Sequence, residues 1–265
     1  WIQSAQYLVR HMLKNKNLLH IDSLMKPVTV CNNALNLSHR LHPHLAHQGT
    51  HRYSKLMLVD SMAHLTDPRI PDLSLALERA QAAGVTHIIH AGIDPHRDPA
   101  LPTQLPNEPR ILKAFGIHPM AVGRKPLTQQ LQQLENRLQE EGVVALGEVG
   151  LDKRSGMPAI TLQMNALKEQ LKLAHKMQLP VILHCVKASG MLLEVIKNDE
   201  SYRVGGLWHG YTGSPALVSQ IEDRGLHISI GARVTYENSK KCRLAAAQIS
   251  PERLLVESDS PDHPP

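Results

Sequence analysis

The feature of the sequence that most constrains its fold is a regular alternation of short apolar runs with stretches of helical period. It starts near residue 55 and continues to the end of the chain. The stretch 160–177 shows the helical period best, because Ile160, Met164, Leu167 and Leu171 recur every three or four residues. Strands that alternate with helices are typical of a parallel sheet.

Eight apolar runs within about 200 residues favour a (β/α)8 TIM-like barrel over an open sheet. The predicted strands are 56–59, 86–91, 112–117, 143–149, 181–184, 206–209, 227–230 and 254–257. The predicted helices are 73–83, 128–141, 160–177, 189–198, 215–224 and 239–248. No helical pattern fills 94–110 or follows the eighth run, so the predicted barrel lacks the usual C-terminal helix.

The positive charge of the chain is concentrated at its N-terminal end. Residues 1–55 hold seven Lys or Arg and one acid, Asp22, whereas residues 56–265 hold 22 bases and 23 acids. We therefore expect two regions: a basic, His-rich, poorly ordered extension over 1–55 and a barrel domain over 56–265. The extension is predicted to be either an arm that contacts phosphate groups or a loosely ordered leader.

The composition excludes two broad classes of protein. At 42% hydrophobic residues the chain can bury a core, which excludes disorder by composition, and no apolar run of 18 residues predicts a membrane span. The three cysteines, Cys31, Cys185 and Cys242, are widely separated and lack CxxC spacing. This usage predicts a reduced, cytoplasmic protein.

Polar side chains stand at the ends of several predicted strands, where ligands of barrels bind. They are Asp60, His64, His118, Glu148, Asp152, His184, His209, Glu257 and Asp259. A single histidine in such a place is more often structural, and a glutamate between glycines can cap a turn. Burying so many polar groups in one ring is costly unless a cation compensates them. Mixed imidazole and carboxylate groups suit Zn²⁺, Mn²⁺ or Mg²⁺.

Six segments together resemble the TatD family of metal-dependent deoxyribonucleases. They are VDSMAHL, FGIHP, ALGEVGLD, LPVILHC, HGYTGS and LLVESDSPD, and they cover roughly residues 56–264 in the order typical of the family. The resemblance implies a TIM-like barrel that holds two divalent metal ions and hydrolyses phosphodiester bonds in a DNA substrate.

The resemblance also implies roles for individual residues. His64, Glu148 and Asp259 would hold the first ion, and Glu148, His184 and His209 the second, with Glu148 bridging the two. His118 would lie near the scissile phosphate, and Asp259 would accept the proton of the attacking water. His118, Glu148 and Asp259 are therefore the predicted catalytic residues.

Two substitutions depart from the family pattern. Met62 stands where the first histidine of an HxH motif is expected, and a thioether is a poor ligand for a hard divalent ion. Val186 stands where an arginine is expected, and valine cannot bind phosphate in two-pronged fashion. Lys187 offers a positive charge one residue further on, or is simply a solvated loop residue. We therefore expect a weakened first metal site and reduced activity.

Two other functions stay open at this point. One is a small-molecule amidohydrolase or lactonase on the same barrel, although Glu148 stands where many such enzymes have a carboxylated lysine. The other is a non-catalytic protein that binds metal or nucleic acid, which the residues at positions 62 and 186 keep open. The sequence does not determine the oligomeric state.

Overall fold

The computed structural model describes residues 58–198 and 204–262, so the predicted extension over 1–55 lies outside the described residues. Eight parallel strands form one sheet in the order β1 to β8, each hydrogen-bonded to the next. The predicted barrel is confirmed. The strands are β1 Leu58–Ala63, β2 Val85–Ala91, β3 Arg110–Phe115, β4 Val143–Asp152, β5 Val181–Val186, β6 Gly206–Trp208, β7 Leu226–Ile230 and β8 Leu254–Val256.

Six α-helices connect the described strands. The helix predicted over 215–224 is instead a 3₁₀ turn, Pro215–Leu217, followed by one short helix, and the helix predicted over 128–141 ends four residues early. Residues 92–109 form turns and no helix. No helix in the described ranges is long and apolar enough to cross a lipid bilayer. The helices are α1 Leu73–Ala82, α2 Leu127–Arg137, α3 Ile160–Met177, α4 Ser189–Asn198, α5 Val218–Glu222 and α6 Lys240–Ala246.

The described residues form three buried apolar clusters, two between strands and helices and one inside the strands. Leu167, Leu171 and Ala174 of α3 are buried in one cluster with Leu146 of β4 and Leu183 of β5. A second, small apolar cluster, the inner layer, collects residues from successive strands. Such a layer of side chains fills the centre of a barrel. Its fully buried members are Met62, Ala91, Ala114, Ala145, Ile182 and Leu207.

The barrel closes through backbone hydrogen bonds between the end of β1 and the residues that follow β8. The N–H of Asp259 donates to the carbonyl oxygen of Met62 (3.0 Å), and the N–H of His64 donates to the carbonyl oxygen of Ser260 (2.7 Å). These bonds place the side chains of His64 and Asp259 beside each other although 195 positions separate them in the sequence.

Asp60 reinforces this closure from inside β1. Its carboxylate is 1% exposed and accepts hydrogen bonds from the backbone N–H (2.9 Å) and the hydroxyl (2.5 Å) of Ser258. Burial raises the pKa of Asp60 to about 6 against the opposing effect of these hydrogen bonds. Asp60 was one of the polar strand-end residues in the sequence, and its contacts are structural.

Candidate metal centre

Glu148 owes its position to an irregularity in β4. The pairing of β4 with β5 shifts between Gly147 and Val149, so Glu148 is the extra residue of a β-bulge. A Cβ atom at Gly150 would overlap the backbone carbonyl oxygen of His184. Glycine in the GEVG motif therefore lets the two strands approach closely, which brings Glu148 beside the end of β5.

Glu148, His184 and His209 form a compact group that we call the buried cluster. Glu148 Oε1 lies 2.5 Å from His184 Nδ1 and 2.6 Å from His209 Nε2. The two imidazole nitrogens are 3.2 Å apart. All three residues are at most 8% exposed, so three ligand-type atoms converge on one point out of contact with bulk water.

The ring of His184 is oriented by a carboxylate behind it. His184 Nε2 lies 3.2 Å from Asp152 Oδ2, and Arg154 donates to the same oxygen through Nε (2.8 Å). A carboxylate on the far nitrogen of a metal-binding histidine fixes the ring and raises its basicity. Asp152 and Arg154 therefore support the buried cluster from the far side of the His184 ring, away from Glu148.

His209 has a similar arrangement with Glu257. His209 Nδ1 lies 3.6 Å from Glu257 Oε1, and neither atom has a hydrogen-bond partner within the described residues. Ser229 donates its hydroxyl to the other oxygen, Glu257 Oε2 (2.5 Å), and so holds the carboxylate in place. A small rotation of the His209 ring would bring Nδ1 into hydrogen-bonding distance of Glu257.

His118 follows β3 and adds an imidazole on the other side of Glu148. Its Nδ1 accepts a hydrogen bond from the N–H of Met120 (3.0 Å), and its Nε2 lies 3.6 Å from Glu148 Oε1. Burial lowers the pKa of His118 to about 3, against the opposing charge of Glu148. The ring is therefore neutral at physiological pH, and the contact at Nδ1 assigns its proton to Nε2.

His64 and Asp259 lie on the opening side of Glu148. His64 Nδ1 lies 2.8 Å from the carbonyl oxygen of Ala91, which directs Nε2 towards Glu148 Oε2 (3.3 Å) and Asp259 Oδ1 (3.7 Å). Burial disfavours the protonated ring, but the hydrogen bond and charge of Glu148 outweigh it and raise the pKa of His64 to about 9. Burial also raises the pKa of Asp259, to about 7.

Asp262 joins these two side chains, although sequence reasoning assigned it no role. Ligand-type atoms of His64, Asp259 and Asp262 lie within 4.8 Å of one another, and we call this group the rim cluster. Asp262 was missed although it ends the LLVESDSPD segment, because the prediction considered only the polar residues nearest the end of the strand, Glu257 and Asp259. The usable signal was its spacing, three residues after Asp259.

The donor set of the centre fits divalent metal ions. His184 and His209 present two nitrogens to the same carboxylate oxygen, and only a proton or another cation can lie among three such atoms favourably. Burial opposes a charged ring, yet the charge of Glu148 raises the pKa of His209 well above its usual value. The cluster thus attracts positive charge strongly, and a bound metal ion would replace the protons on the imidazole nitrogens that face Glu148.

The two departures from the family pattern differ in their surroundings. Met62 is fully buried in the inner layer beneath the centre, with its side chain among the alanines and aliphatic residues of neighbouring strands. Val186 is partly buried at the end of β5, and it borders the cleft together with the exposed Lys187.

A cleft of about 1150 Å³ lies above the centre. The six residues predicted from the sequence all line it, and their individual roles remain predictions. Four exposed basic side chains from three connections between strands border the same cleft: Arg97 after β2, Lys187 after β5, and Arg233 and Lys241 between β7 and β8. These positive charges lie around a base that is rich in carboxylates. The six predicted residues are His64, His118, Glu148, His184, His209 and Asp259.

Comparison with known proteins is consistent with a metal centre. The family described as TatD related DNase matches residues 59–265. An uncharacterized metal-dependent hydrolase of Bacillus subtilis, YabD, is 31% identical over 77% of this chain and 80% of its own length. YjjV of Escherichia coli K12, also an uncharacterized metal-dependent hydrolase, is 32% identical over 78% of this chain and 80% of its own length.

Solved structures show the same fold. The crystal structure of YjjV, a TatD homolog from Escherichia coli, superposes with a TM-score of 0.69 at 31% identity and covers 78% of this chain and 80% of that one. A TatD family hydrolase from Entamoeba histolytica gives a TM-score of 0.63 at 22% identity, over 77% of this chain and 73% of its own. The latter likeness concerns the fold alone.

Proposed function

We propose that this chain, which belongs to the TatD family of metal-dependent hydrolases, hydrolyses phosphodiester bonds of DNA with two divalent metal ions. The observation that carries the proposal is the position of Glu148. One of its oxygens lies 2.5 and 2.6 Å from the nitrogens of the buried cluster, and the other lies 3.3 Å from His64 on the rim. Such a carboxylate is suited to bridge two ions.

The residues around the centre supply the remaining chemistry. Bound divalent ions would polarise a phosphoryl oxygen and lower the pKa of a water molecule. Asp259 borders the cleft and is placed to accept the proton of that water. His118 is neutral with its proton on Nε2, so it can donate to a phosphate oxygen or to the leaving group.

The basic border of the cleft supports a polyanionic substrate. Arg97, Lys187, Arg233 and Lys241 come from three different connections between strands, so their charges are not confined to one side chain or one loop. Spread charges of this kind suit a chain of phosphates better than a single small anion. Valine at position 186 removes a two-pronged contact, so we expect slower cleavage than an arginine at that position would give.

The proposal is tested by incubating the protein with labelled single-stranded DNA and Mn²⁺ or Mg²⁺, in parallel with amide, lactone and phosphate-monoester substrates. We expect the protein to cleave the DNA and none of the other substrates. The matched variant Glu148→Gln should give no detectable product, and it also controls for contaminating nuclease. Hydrolysis of an amide or lactone with intact DNA would contradict the proposal in favour of a small-molecule amidohydrolase.

A further inference from the structure

We propose that Asp262 is a metal ligand of the rim cluster, where it replaces the imidazole that position 62 does not provide. The inference rests on the metal centre of the proposed function and concerns which residues of this chain complete it. Asp262 is the last residue of the LLVESDSPD segment, but it was not among the ligands predicted from the sequence.

Position 62 is unable to complete the rim cluster. Met62 is fully buried in the inner layer, and a thioether is a soft group that hard divalent ions bind poorly. Without another group, an ion on this side would be held by His64, Asp259 and the shared Glu148. A carboxylate from elsewhere in the chain would restore the missing ligand.

Asp262 lies where such a carboxylate is needed. Its ligand-type oxygen is within 4.8 Å of those of His64 and Asp259, as expected for atoms around one ion. The backbone of residues 259–260 is hydrogen-bonded to that of Met62 and His64, so this segment is fixed to the end of β1. The closure of the barrel thus places Asp259 and Asp262 beside the same histidine, His64.

The side chain of Asp262 is also held in position. Arg69 Nη1 donates to Asp262 Oδ1 (2.6 Å), and Asp67 anchors the other nitrogens of the guanidinium, with Nε to Oδ1 at 2.9 Å and Nη2 to Oδ2 at 2.8 Å. A carboxylate has about four lone-pair sites, so one hydrogen bond leaves Asp262 able to bind an ion. Arg69 acts here as a positioning residue.

A carboxylate ligand in place of an imidazole also predicts that the two sites prefer different metal ions. The buried cluster offers two imidazoles and one carboxylate, a set that suits Zn²⁺. The rim ion would have one imidazole, His64, and three carboxylates, Glu148, Asp259 and Asp262. Oxygen-rich sets favour Mn²⁺ or Mg²⁺, so the rim is expected to prefer the harder ions.

The test measures metal binding without any substrate. Metal-free full-length protein is titrated with Mn²⁺ by calorimetry, and bound metal is counted by elemental analysis, for the natural chain and for Asp262→Asn. Glu169→Gln is the matched control, because it also neutralises a partly exposed carboxylate in an ion pair, with Lys172 Nζ at 2.7 Å, but lies outside the cleft. Thermal unfolding of the metal-free variants checks that each one is folded.

We expect two bound ions in the natural chain and in Glu169→Gln. In Asp262→Asn the affinity for one ion should be unchanged and that for the other should fall by at least about tenfold. Changing even a residue that only hydrogen-bonds to a metal ligand costs about that much. Two ions of unaltered affinity in Asp262→Asn, or equal weakening in Glu169→Gln, would overturn the inference and leave the nuclease proposal intact. Failure of the natural chain to bind any ion would overturn both.

Discussion

The buried cluster and the rim cluster meet at Glu148 but are built differently. The side chains of Glu148, His184 and His209 are at most 9% exposed, and a carboxylate lies behind each imidazole, Asp152 at 3.2 Å and Glu257 at 3.6 Å. On the rim, side-chain exposure is 12% for Asp259, 14% for His64 and 44% for Asp262. The residues of the buried cluster match the family pattern, whereas the rim cluster departs from it at position 62, where methionine stands in place of a histidine.

The largest expected effect comes from the residue that both clusters share. Glu148→Gln keeps the shape of the side chain but removes the charge that faces both groups, so we expect loss of both ions. Activity on DNA should fall by about 10³-fold or more, which corresponds to about 4 kcal/mol. Metal counting together with a cleavage assay checks this, and retention of one tightly bound ion would show that the clusters are independent.

Asp60→Ala tests the hydrogen bonds between Asp60 and Ser258, which lie beneath the rim cluster. The change leaves the buried N–H and hydroxyl of Ser258 without their acceptor, and each unsatisfied group costs about 1–3 kcal/mol. We therefore expect a loss of about 3 kcal/mol in the free energy of unfolding, measured with denaturant. Asp60→Asn, which keeps an acceptor oxygen, should lose less; equal stability of all three proteins would contradict the role of Asp60 in closing the barrel.

The support of the buried cluster is tested by Glu257→Gln. We expect about 10- to 100-fold weaker binding of one ion, as is typical when the partner of a metal-binding histidine is changed. The ion at the rim should keep its affinity, because Glu257 faces His209 and not His64. Calorimetric titration separates the two ions, and weakening of the rim ion alone would reverse the assignment of Glu257.

The smallest expected effect is a gain at the rim from Met62→His. An added imidazole should tighten the rim ion by about tenfold, less the cost of a polar ring in the apolar inner layer. Met62→Leu is the matched control, since it conserves the volume and adds no ligand. Equal affinities for the rim ion in all three proteins would show that position 62 does not face it.

The fold was readable from the sequence because its pattern is strongly periodic. The bounds of α3 and α4 agree with the helices predicted over 160–177 and 189–198, where apolar residues recur every three or four positions. The prediction failed over 215–224, where the chain forms a 3₁₀ turn before a helix of five residues. Sequence period gave no sign of that change in helix type.

Most residues of the candidate centre could be predicted from their positions at the ends of strands, because the parallel strands of a barrel all end at one opening. The position of Asp262 beside His64 and Asp259 was not predictable in the same way. It depends on how the segment after β8 is hydrogen-bonded to the end of β1, which is a contact between distant parts of the chain. The bulge at Glu148 likewise depends on the close approach of β4 and β5.

The most direct test of the account is a crystal structure of the protein grown with Mn²⁺, with the ions located by anomalous scattering. The account predicts two peaks about 4 Å apart on either side of Glu148. One peak should contact His184 and His209, and the other His64, Asp259 and Asp262. A single peak, or peaks that leave Glu148 without contact, would contradict it.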